Sequence, residues 1–383
     1  MSKTVVILGG GVGGLVTSNE LRKALPKGHH VVLVERDTSF VFTPSLLWLM
    51  TGARTPSEIT RPLARLARKG IEVVQGVVQR IDAGRREVTV DGRLLTGHNL
   101  VIALGAELAP ETIPGLADAG HNFYTLAGAE TFRDHLKSFS GGRIVILTAA
   151  PAYKCPAAPY EAAMLLEHDC RRRHIRDKTQ IDLFTAEPAP MGVAGMEVSR
   201  AVREMVEAKG IAYHPEHQVK EVNAVSRTLR FSNGVVAPYD VLAYVPPHRA
   251  PRVVRESGLT SEGGWMSADR STLATAFPGV YAIGDVVSIP LALGKPLPKA
   301  GVFADYEAQV VARNIARSIT GKGKAASFDG EGACFVETGD GKAGFGTGNF
   351  YAEPVPRVKL HAPSRRWHAA KILFEKDSLR RWL

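Results

Sequence analysis

A glycine-rich turn between an apolar strand and a helix constrains the fold of this chain more than any other feature of its sequence. The segment reads TVVILGGGVGGLVTSNELRKAL, with Gly9, Gly11 and Gly14 in the spacing G-x-G-x-x-G. A second apolar strand, HHVVLVERD, ends around Glu35 and Arg36. Glycines let the backbone approach a pyrophosphate, the helix N-terminus attracts its charge, and the acidic residue reaches ribose hydroxyls. These parts within about 30 residues predict a Rossmann-like dinucleotide-binding unit.

Three further segments indicate which dinucleotide this unit binds. The segment VIALGA contains Gly105, GVYAIGDV contains Gly284 and Asp285, and PKAG contains Lys299 and opens a helix. They resemble the A-T-G turn, the second flavin fingerprint and the flavin-facing helix start of flavoproteins with two dinucleotide-binding domains. That resemblance implies that Asp285 holds the ribitol of FAD. The expected cofactor is therefore FAD.

The length and the pattern of apolar segments predict more than one domain. A chain of 383 residues is too long for one ordinary core. The expected fold is α/β, with two Rossmann-like dinucleotide-binding domains of the glutathione-reductase-like kind and a C-terminal region with an amphipathic helix. The expected FAD-binding domain has two parts, 1–112 and 251–320. A second Rossmann-like domain with a degenerate nicotinamide site is expected at 113–250, and a redox-cysteine and membrane-docking region at 321–383.

The second Rossmann-like unit has an unusual turn. After the strand GGRIVIL, the turn where a nicotinamide loop is expected reads TAAPAYKCPAAPYE. Pro151, Pro156 and Pro159 remove backbone donors, and no glycine lets a pyrophosphate approach. We therefore expect that a nicotinamide is not the electron donor, and that a redox-active cysteine takes its place.

Cys155 is the candidate for that cysteine. It follows Lys154 and precedes Pro156, a favoured first residue of a helix. Cys155 is therefore expected at a helix N-cap, where the cation and the helix dipole favour the thiolate and lower the pKa below about 8.5. Glu161, in the same helix, is the expected proton acceptor.

The other two cysteines are assigned different roles. Three cysteines are too few for a disulfide scaffold and do not have the spacing of a metal site. Cys334 begins an apparent strand between glycines in GACFVETGDGKAGFG. Cys170 lies in HDCRRRHIRDK, which is interpreted as a solvated helix end without a catalytic role.

Together these motifs resemble sulfide:quinone oxidoreductases and the flavoprotein subunit of flavocytochrome c sulfide dehydrogenases. In those families K-C-P-x-A-P-Y-E replaces the nicotinamide loop, and C-[FY]-x-E lies in the last third of the chain. Here the two motifs are residues 154–161 and 334–337. The segments after the second strand (40–52) and at the C-terminus also fit.

The resemblance implies a mechanism. Cys155 and Cys334 would lie on either side of the reactive face of the flavin, bridged as a disulfide or through extra sulfur. Hydrosulfide attacks the bridge and leaves a persulfide on one cysteine, and two electrons pass to FAD. Cys334 is assigned to the flavin side and Cys155 to sulfur transfer. The sulfur leaves as sulfane sulfur or polysulfide.

The sequence departs from these families at two positions. Many quinone-reducing members have a third functional cysteine before the second domain, where this chain has Phe123 and Tyr124. Because the third cysteine is missing, the resemblance does not assign the detailed route of the sulfur or the subfamily, whereas the two-cysteine core is intact. The segment around residue 42 lacks the cysteine that binds flavin covalently in flavocytochrome c relatives, so noncovalent FAD is expected.

The C-terminal segment suggests where the electrons go. In RRWHAAKILFEKDSLRRWL, apolar and aromatic residues alternate with basic ones. This pattern is typical of a helix in a membrane interface, and also of a helix packed on its own core. The resemblance favours docking to a membrane that supplies a quinone. Phe303, Phe345, Phe350 and Tyr351 are candidates to line the quinone site.

Charge and hydropathy narrow the partners. The net charge of +10 favours anionic partners, but no nucleic-acid-binding motif is present. No signal-peptide core or membrane-spanning run is present, so a peripheral protein of the cell membrane is expected. A homo-oligomer remains open. Three alternatives are a type II NADH:quinone oxidoreductase, a sulfide:cytochrome c flavoprotein and a flavin-binding interaction protein.

Overall fold

Helices and strands alternate along the chain as in a layered α/β protein. The structure, a computed structural model, describes residues 1–383. The helices are α1 (Val12–Ala24), α2 (Leu46–Met50), α3 (Pro56–Ile59), α4 (Leu116–Ala119), α5 (Leu126–Ser138), α6 (Ala158–Arg172), α7 (Met196–Glu207), α8 (Arg252–Glu256), α9 (Gly301–Thr320) and α10 (Arg365–Trp382). The strands are β1 (Thr4–Leu8), β2 (His30–Glu35), β3 (Ser39–Val41), β4 (Thr60–Pro62), β5 (Glu72–Gln75), β6 (Val78–Asp82), β7 (Glu87–Val90), β8 (Arg93–Thr96), β9 (Asn99–Ile102), β10 (Glu107–Leu108), β11 (His121–Asn122), β12 (Gly142–Thr148), β13 (Thr179–Thr185), β14 (Ala212–His214), β15 (Val219–Asn223), β16 (Thr228–Phe231), β17 (Val236–Pro238), β18 (Val241–Val245), β19 (His248–Arg249), β20 (Val280–Ala282), β21 (Glu331–Gly339), β22 (Lys342–Asn349) and β23 (Arg357–Ser364).

Two five-stranded parallel sheets form the centres of the molecule. Their strand orders are β20-β9-β1-β2-β5 and β11-β18-β12-β13-β14. Four consecutive residues of β1, Val5 to Leu8, are each at most 1% exposed, so both faces of the strand are covered. Continuous apolar strands of this kind are typical of parallel sheets between helices. The predicted α/β class with Rossmann-like sheets is confirmed.

The order of the first sheet brings distant segments together. Strand β20 pairs with β9, and β9 pairs with β1, all in parallel. Their carboxyl ends therefore meet at one edge of the sheet. This edge carries the turn at Gly9, the turn at Gly105 and the segment beginning at Gly284.

The C-terminal region adds the antiparallel sheet β21-β22-β23 and helix α10. Helix α10 packs on the core through some residues and exposes others to solvent, and its docking to a membrane stays a prediction. Leu379 and Trp382 are buried in the hydrophobic core around the sheet β20-β9-β1-β2-β5, and the Trp382 ring lies 5.8 Å from the Phe40 ring. Leu373 and Phe374, in contrast, are 67% and 38% exposed. No helix has both the length and the apolar character needed to cross a membrane.

Candidate active site

The turn after β1 is one that glycine alone fits at two positions. Gly9 has a φ of +102°, and a Cβ there would lie 2.4 Å from the carbonyl oxygen of Ala103. A Cβ on Gly14 would lie 1.8 Å from the carbonyl oxygen of Gly9, so α1 packs directly on the turn. At Gly11 a Cβ would meet nothing within 4 Å, and no side chain caps the helix. The free helix N-terminus and the space beside it fit a pyrophosphate.

Glu35 and Arg36 lie beside this turn, at the end of β2. The Glu35 carboxylate accepts hydrogen bonds from the backbone N–H groups of Gly10, Arg36 (2.8 Å) and Asp37 (3.1 Å). The Arg36 side chain is exposed and lies 3.6 Å from the Asp37 carboxylate. Glu35 therefore stabilises the loop that faces the turn, and its contact with a ribose stays a prediction.

The segment from Gly284 supplies an unpartnered polar atom. The Oδ1 atom of Asp285 is buried and makes no hydrogen bond. Because buried polar atoms are nearly always paired, this oxygen fits a hydroxyl-bearing group such as the ribitol of FAD. Gly284 and Gly105 both have positive φ angles, of +73° and +68°. Lys299 Nζ donates to the carbonyl oxygens of Asp285 (2.7 Å) and Val287 (2.9 Å), so this lysine supports the segment from behind.

Glu307 is a residue of this region that the sequence motifs do not identify. It is buried on α9, and its Oε2 accepts a hydrogen bond from the N–H of Gly284 at 2.6 Å. The pKa of Glu307 is raised to about 7, mainly by burial and in part by the charge of Asp285. The Gly284 hydrogen bond and Lys299 act in the opposite direction. The one sign of Glu307 in the sequence is an acidic residue at a position of α9 where the apolar pattern predicts a buried side chain.

Cys155 lies in the loop between β12 and α6. Its backbone is left-handed, with a φ of +55°. Its N–H donates to the carbonyl oxygen of Lys299 at 2.7 Å. The Tyr124 hydroxyl lies 3.0 Å from the carbonyl oxygen of Lys154 and 3.4 Å from the carbonyl oxygen of Cys155, and it can donate a hydrogen bond to either. The loop that follows β12 of the second sheet is thus hydrogen-bonded to the segment of the first domain that contains Asp285 and Lys299.

The predicted activation of Cys155 is wrong in two respects. Helix α6 begins at Ala158 with Ala157 as its N-cap, so Cys155 precedes the cap. The pKa of the Cys155 thiol is raised, first by burial and then by Glu161 and Cys334, and the positive charge that opposes this is Lys371. The sequence shows the neighbouring charge of Lys154 but not the depth at which the thiol lies.

Cys334 lies on β21, opposite Gly346 of β22. The pKa of its thiol is raised to about 12, first by burial and then by Glu161, while the charge of Lys371 acts in the opposite direction. Cys155 and Cys334 are both free thiols, both pack against the same hydrophobic cluster, and Glu161 and Lys371 affect the pKa of each. The fold therefore places the two cysteines in one region with the predicted acceptor Glu161, and their redox pairing stays a prediction.

A buried ionic network adjoins the two cysteines. Glu161 Oε1 accepts hydrogen bonds from Lys371 Nζ and from the N–H of Glu337, both at 2.8 Å. Lys371 Nζ lies 3.9 Å from Glu337 Oε1, and His368 Nδ1 lies 3.0 Å from Glu337 Oε2. Burial alone would lower the pKa of Lys371, but Glu161 and Glu337 raise it above its usual value. Sequence reasoning missed Lys371 and His368, since only their spacing of three on a predicted helix hinted at a shared face.

Cys170 does not lie where the sequence placed it. It is 2% exposed, lies within α6, and packs in the hydrophobic core around the sheet β11-β18-β12-β13-β14. Burial raises the pKa of its thiol. The interpretation of this segment as a solvated helix end is therefore wrong for Cys170, although it holds for Arg171 and Arg172, which are exposed.

The four aromatic candidates for a quinone site divide into two groups. Phe303 and Phe350 have ring centroids 5.1 Å apart, and Tyr351 joins them through Phe328, at 5.3 Å. Phe345 lies elsewhere, with its ring 4.9 Å from Phe335 and 4.5 Å from Trp367. The four rings therefore belong to two contact groups, and their role in a quinone site stays a prediction. Phe345 belongs to the aromatic group next to Cys334 in the sequence and near the exposed part of α10.

The position of the missing nicotinamide loop is occupied by the chain itself. The buried Tyr153 hydroxyl donates to Glu187 Oε2 at 2.7 Å. Glu187 follows β13, the strand next to β12, where an acidic residue of a Rossmann unit would bind a ribose. A side chain of the loop therefore pairs with the group that a nucleotide would need.

The family model for pyridine nucleotide-disulphide oxidoreductases matches residues 3–308, so the chain belongs to this family. It is an enzyme of the flavin oxidoreductase type, and its family implies a flavin cofactor.

Within that class, the chain is similar to sulfide-oxidising enzymes. It is 28% identical to the sulfide-quinone reductase of Aquifex aeolicus (strain VF5), over 98% of this chain and 90% of that protein. It is 24% identical to the mitochondrial sulfide:quinone oxidoreductase of Mus musculus, over 92% of this chain and 79% of that one. The X-ray structure of the sulfide:quinone oxidoreductase from Aquifex aeolicus matches with a TM-score of 0.89 at 26% identity, covering 99% of this chain and 91% of the other. The resemblance inferred from the motifs is confirmed.

Proposed function

We propose that this chain is a sulfide:quinone oxidoreductase. It oxidises hydrosulfide to sulfane sulfur or polysulfide and passes two electrons through FAD to a membrane quinone. The observation that carries this proposal is the convergence of Cys155 and Cys334, from distant segments, on one buried pair, Glu161 and Lys371. The names of the similar enzymes, which match this chain over nearly its full length, support it.

In the proposed cycle, a bridge between Cys155 and Cys334 is the oxidant for sulfide. Hydrosulfide attacks Cys155, so that a new S–S bond forms, the Cys155–Cys334 bond breaks, and its electron pair stays on Cys334. Sulfur then leaves Cys155 for a second hydrosulfide or a small thiol, which leaves a thiolate on Cys155. Cys155 and Cys334 re-form their S–S bond and release two electrons, for which bound FAD would be the acceptor and the carrier to the quinone.

Glu161 and Lys371 assist this attack. Both hydrogen bonds that Glu161 accepts are at Oε1, which leaves Oε2 free to take the proton of the attacking hydrosulfide. The charge of Lys371 lowers the pKa of both thiols and so stabilises the thiolate that leaves. Burial raises both pKa values, so this cation matters more here than at an exposed cysteine.

The cofactor and the acceptor follow from other residues. FAD is held noncovalently by the turn at Gly9 and by Asp285, since position 42 is a buried phenylalanine and not a cysteine. Among the aromatic candidates for contact with the quinone, Phe345 lies beside Phe335 and Trp367, in the group that also contacts α10. Leu373 and Phe374 on α10 face solvent and are available to a membrane surface.

Anaerobic bleaching of the flavin tests the proposal. We expect hydrosulfide to bleach the flavin of the purified holoenzyme, NADH to leave it oxidised, and a short-chain quinone to restore it. Cys155→Ser and Cys334→Ser should abolish bleaching, whereas Cys170→Ser, the matched control, should keep it. Bleaching by NADH alone would instead indicate the NADH:quinone alternative.

A further inference from the structure

Four ionisable side chains form a continuous line from the cysteines to the surface. Glu161, Lys371 and Glu337 are 2%, 5% and 1% exposed. His368, the last member, has 28% of its side chain exposed and lies 3.0 Å from Glu337 Oε2. Successive contacts along the line are 2.8, 3.9 and 3.0 Å. One end is beside two thiols and the other reaches solvent.

A gain in the stability of the fold does not explain why these charged side chains are buried. Taking charges out of water costs several kcal/mol per ion, and apolar replacements of buried ion pairs are often neutral or stabilising. The line also lacks one positive charge, because Glu161 and Glu337 face a single ammonium group, that of Lys371. His368, whose Nδ1 lies 3.0 Å from Glu337 Oε2, is the next group along the line that can exchange a proton.

An aromatic ring and an ion pair surround the outer half of the line. Trp48 of α2 packs against two members, with its ring 4.8 Å from Lys371 Nζ and 5.8 Å from the His368 ring. The nearby Arg54 cation is already neutralised by Glu375, at 2.9 Å. The charged groups that face His368 are therefore Glu337 on β21, Lys371 on its own helix, and the Arg54–Glu375 pair behind Trp48.

We propose that Glu161, Lys371, Glu337 and His368 are a proton relay between the cysteine pocket and solvent, with His368 as its outer end. This proposal rests on the proposed function. When hydrosulfide forms an S–S bond to Cys155 and Cys334 leaves with the electron pair, the proton of hydrosulfide passes to Glu161. Lys371, an ammonium group, first releases a proton to Glu337, once Nζ closes from 3.9 Å to hydrogen-bonding distance, and the freed amine then takes the proton from Glu161. Glu337 passes a proton to His368, which exchanges it with water.

The test is His368→Gln in the FAD-loaded enzyme, because glutamine keeps a hydrogen bond to Glu337 but cannot titrate. His168→Gln is the matched control, since His168 is also partly exposed and pairs with a carboxylate, Asp340, at 3.1 Å. The measurement is the anaerobic rate of flavin bleaching by sulfide in H2O and D2O. Alkylation and mass spectrometry of quenched samples report the persulfide on Cys155 at the same times.

We expect His368→Gln to slow both persulfide formation and bleaching, on the order of a hundredfold, the lower end of what positioned proton transfer contributes. The KM for sulfide should stay unchanged, the solvent isotope effect should rise, and His368→Ala should regain activity with added imidazole. His168→Gln should match the wild type in each respect.

Two results would overturn the relay while leaving the proposed function in place. One is a wild-type rate and isotope effect in His368→Gln. The other is a slow His368→Ala enzyme that imidazole does not restore, which would make His368 structural. Failure of the proposed function is distinguishable, because sulfide would then bleach neither the wild type nor the His168 control, and the relay would fall with it.

Discussion

At the scale of single residues, the charge of Lys371 is what makes the buried acids beside the cysteines tolerable. Lys371→Met keeps the length of the side chain but leaves Glu161 and Glu337 without a cation. We expect a loss of about 3–5 kcal/mol in the free energy of unfolding, because removal of one partner leaves buried charge uncompensated. Urea denaturation measures this. Iodoacetamide labelling should also move to higher pH, since Lys371 lowers the pKa of both Cys155 and Cys334.

The double variant Glu161→Gln/Lys371→Met is the control for that prediction. It removes an acid together with the cation, so it should recover a large part of the lost stability. If Lys371→Met unfolds at the same urea concentration as the wild type, the network is more hydrated than its burial indicates.

Glu307 should make stability depend on pH near neutrality. Its pKa is raised to about 7 in the folded chain, from an ordinary value of 4.5. A raised pKa means that the contribution to stability is fully present below pH 4.5 and is lost as pH rises through 7. Relative to Glu307→Gln, the wild type should lose up to about 3 kcal/mol between pH 5 and pH 8. Denaturant titrations of both proteins at these pH values check it.

Glu331→Gln is the matched comparison for Glu307, because Glu331 is exposed. Its difference from the wild type should be constant over the same range. A constant difference for Glu307→Gln as well would show that Glu307 keeps an ordinary pKa in solution.

At the scale of elements, the sequence predicted local geometry well and burial poorly. Gly9 and Gly14 were identified because a tight turn needs glycine wherever it occurs, so the strand, turn and helix follow from adjacent residues. The contact between Glu161 and Lys371 joins α6 to α10, which are far apart in the chain. No local pattern encodes it. The same limit explains the error at Cys155, where Lys154 was visible in the sequence but the depth of the thiol was not.

The loop between β12 and α6 gives a prediction of its own. Tyr153→Phe removes the hydrogen bond to Glu187, whose carboxyl pKa is raised by burial although Tyr153 lowers it. We expect a loss of about 1–3 kcal/mol in the free energy of unfolding, the usual cost of an unsatisfied buried group. The pKa of Glu187 should also rise, so the loss should be larger at pH 8 than at pH 5. Tyr306→Phe, at an exposed position, should change neither.

The same loop should not bind a nicotinamide nucleotide. Titration calorimetry with NADH should give no heat of binding for the wild type or for Tyr153→Phe, because prolines still occupy the turn. Binding to Tyr153→Phe alone would show that Tyr153 is what excludes the nucleotide. Binding to the wild type would contradict the assignment of this loop.

At the scale of the whole molecule, α10 connects the cysteine pocket to the outer surface. One face carries Lys371 into the core, and the other exposes Leu373 and Phe374. Arg380 and Arg381, near the end of the helix, are also exposed. Apolar side chains flanked by basic ones suit the interface of an anionic membrane. A helix docked in this way would also be the one that supplies Lys371 to Glu161, near Cys155 and Cys334.

Membrane binding through this face predicts the effect of Leu373→Gln/Phe374→Gln. Each buried apolar side chain contributes about 1.5–3 kcal/mol, so partition into anionic vesicles should fall more than tenfold. Co-sedimentation with vesicles measures the partition, and reduction of a water-soluble short-chain quinone measures whether the flavin and the cysteines still work. Val225→Gln, at another exposed apolar position, should bind vesicles like the wild type. The Phe374 ring lies 5.7 Å from Phe42 and 6.2 Å from Phe335. If the variant loses quinone reduction as strongly as vesicle binding, Phe374 stabilises the core and the proposed membrane contact is wrong.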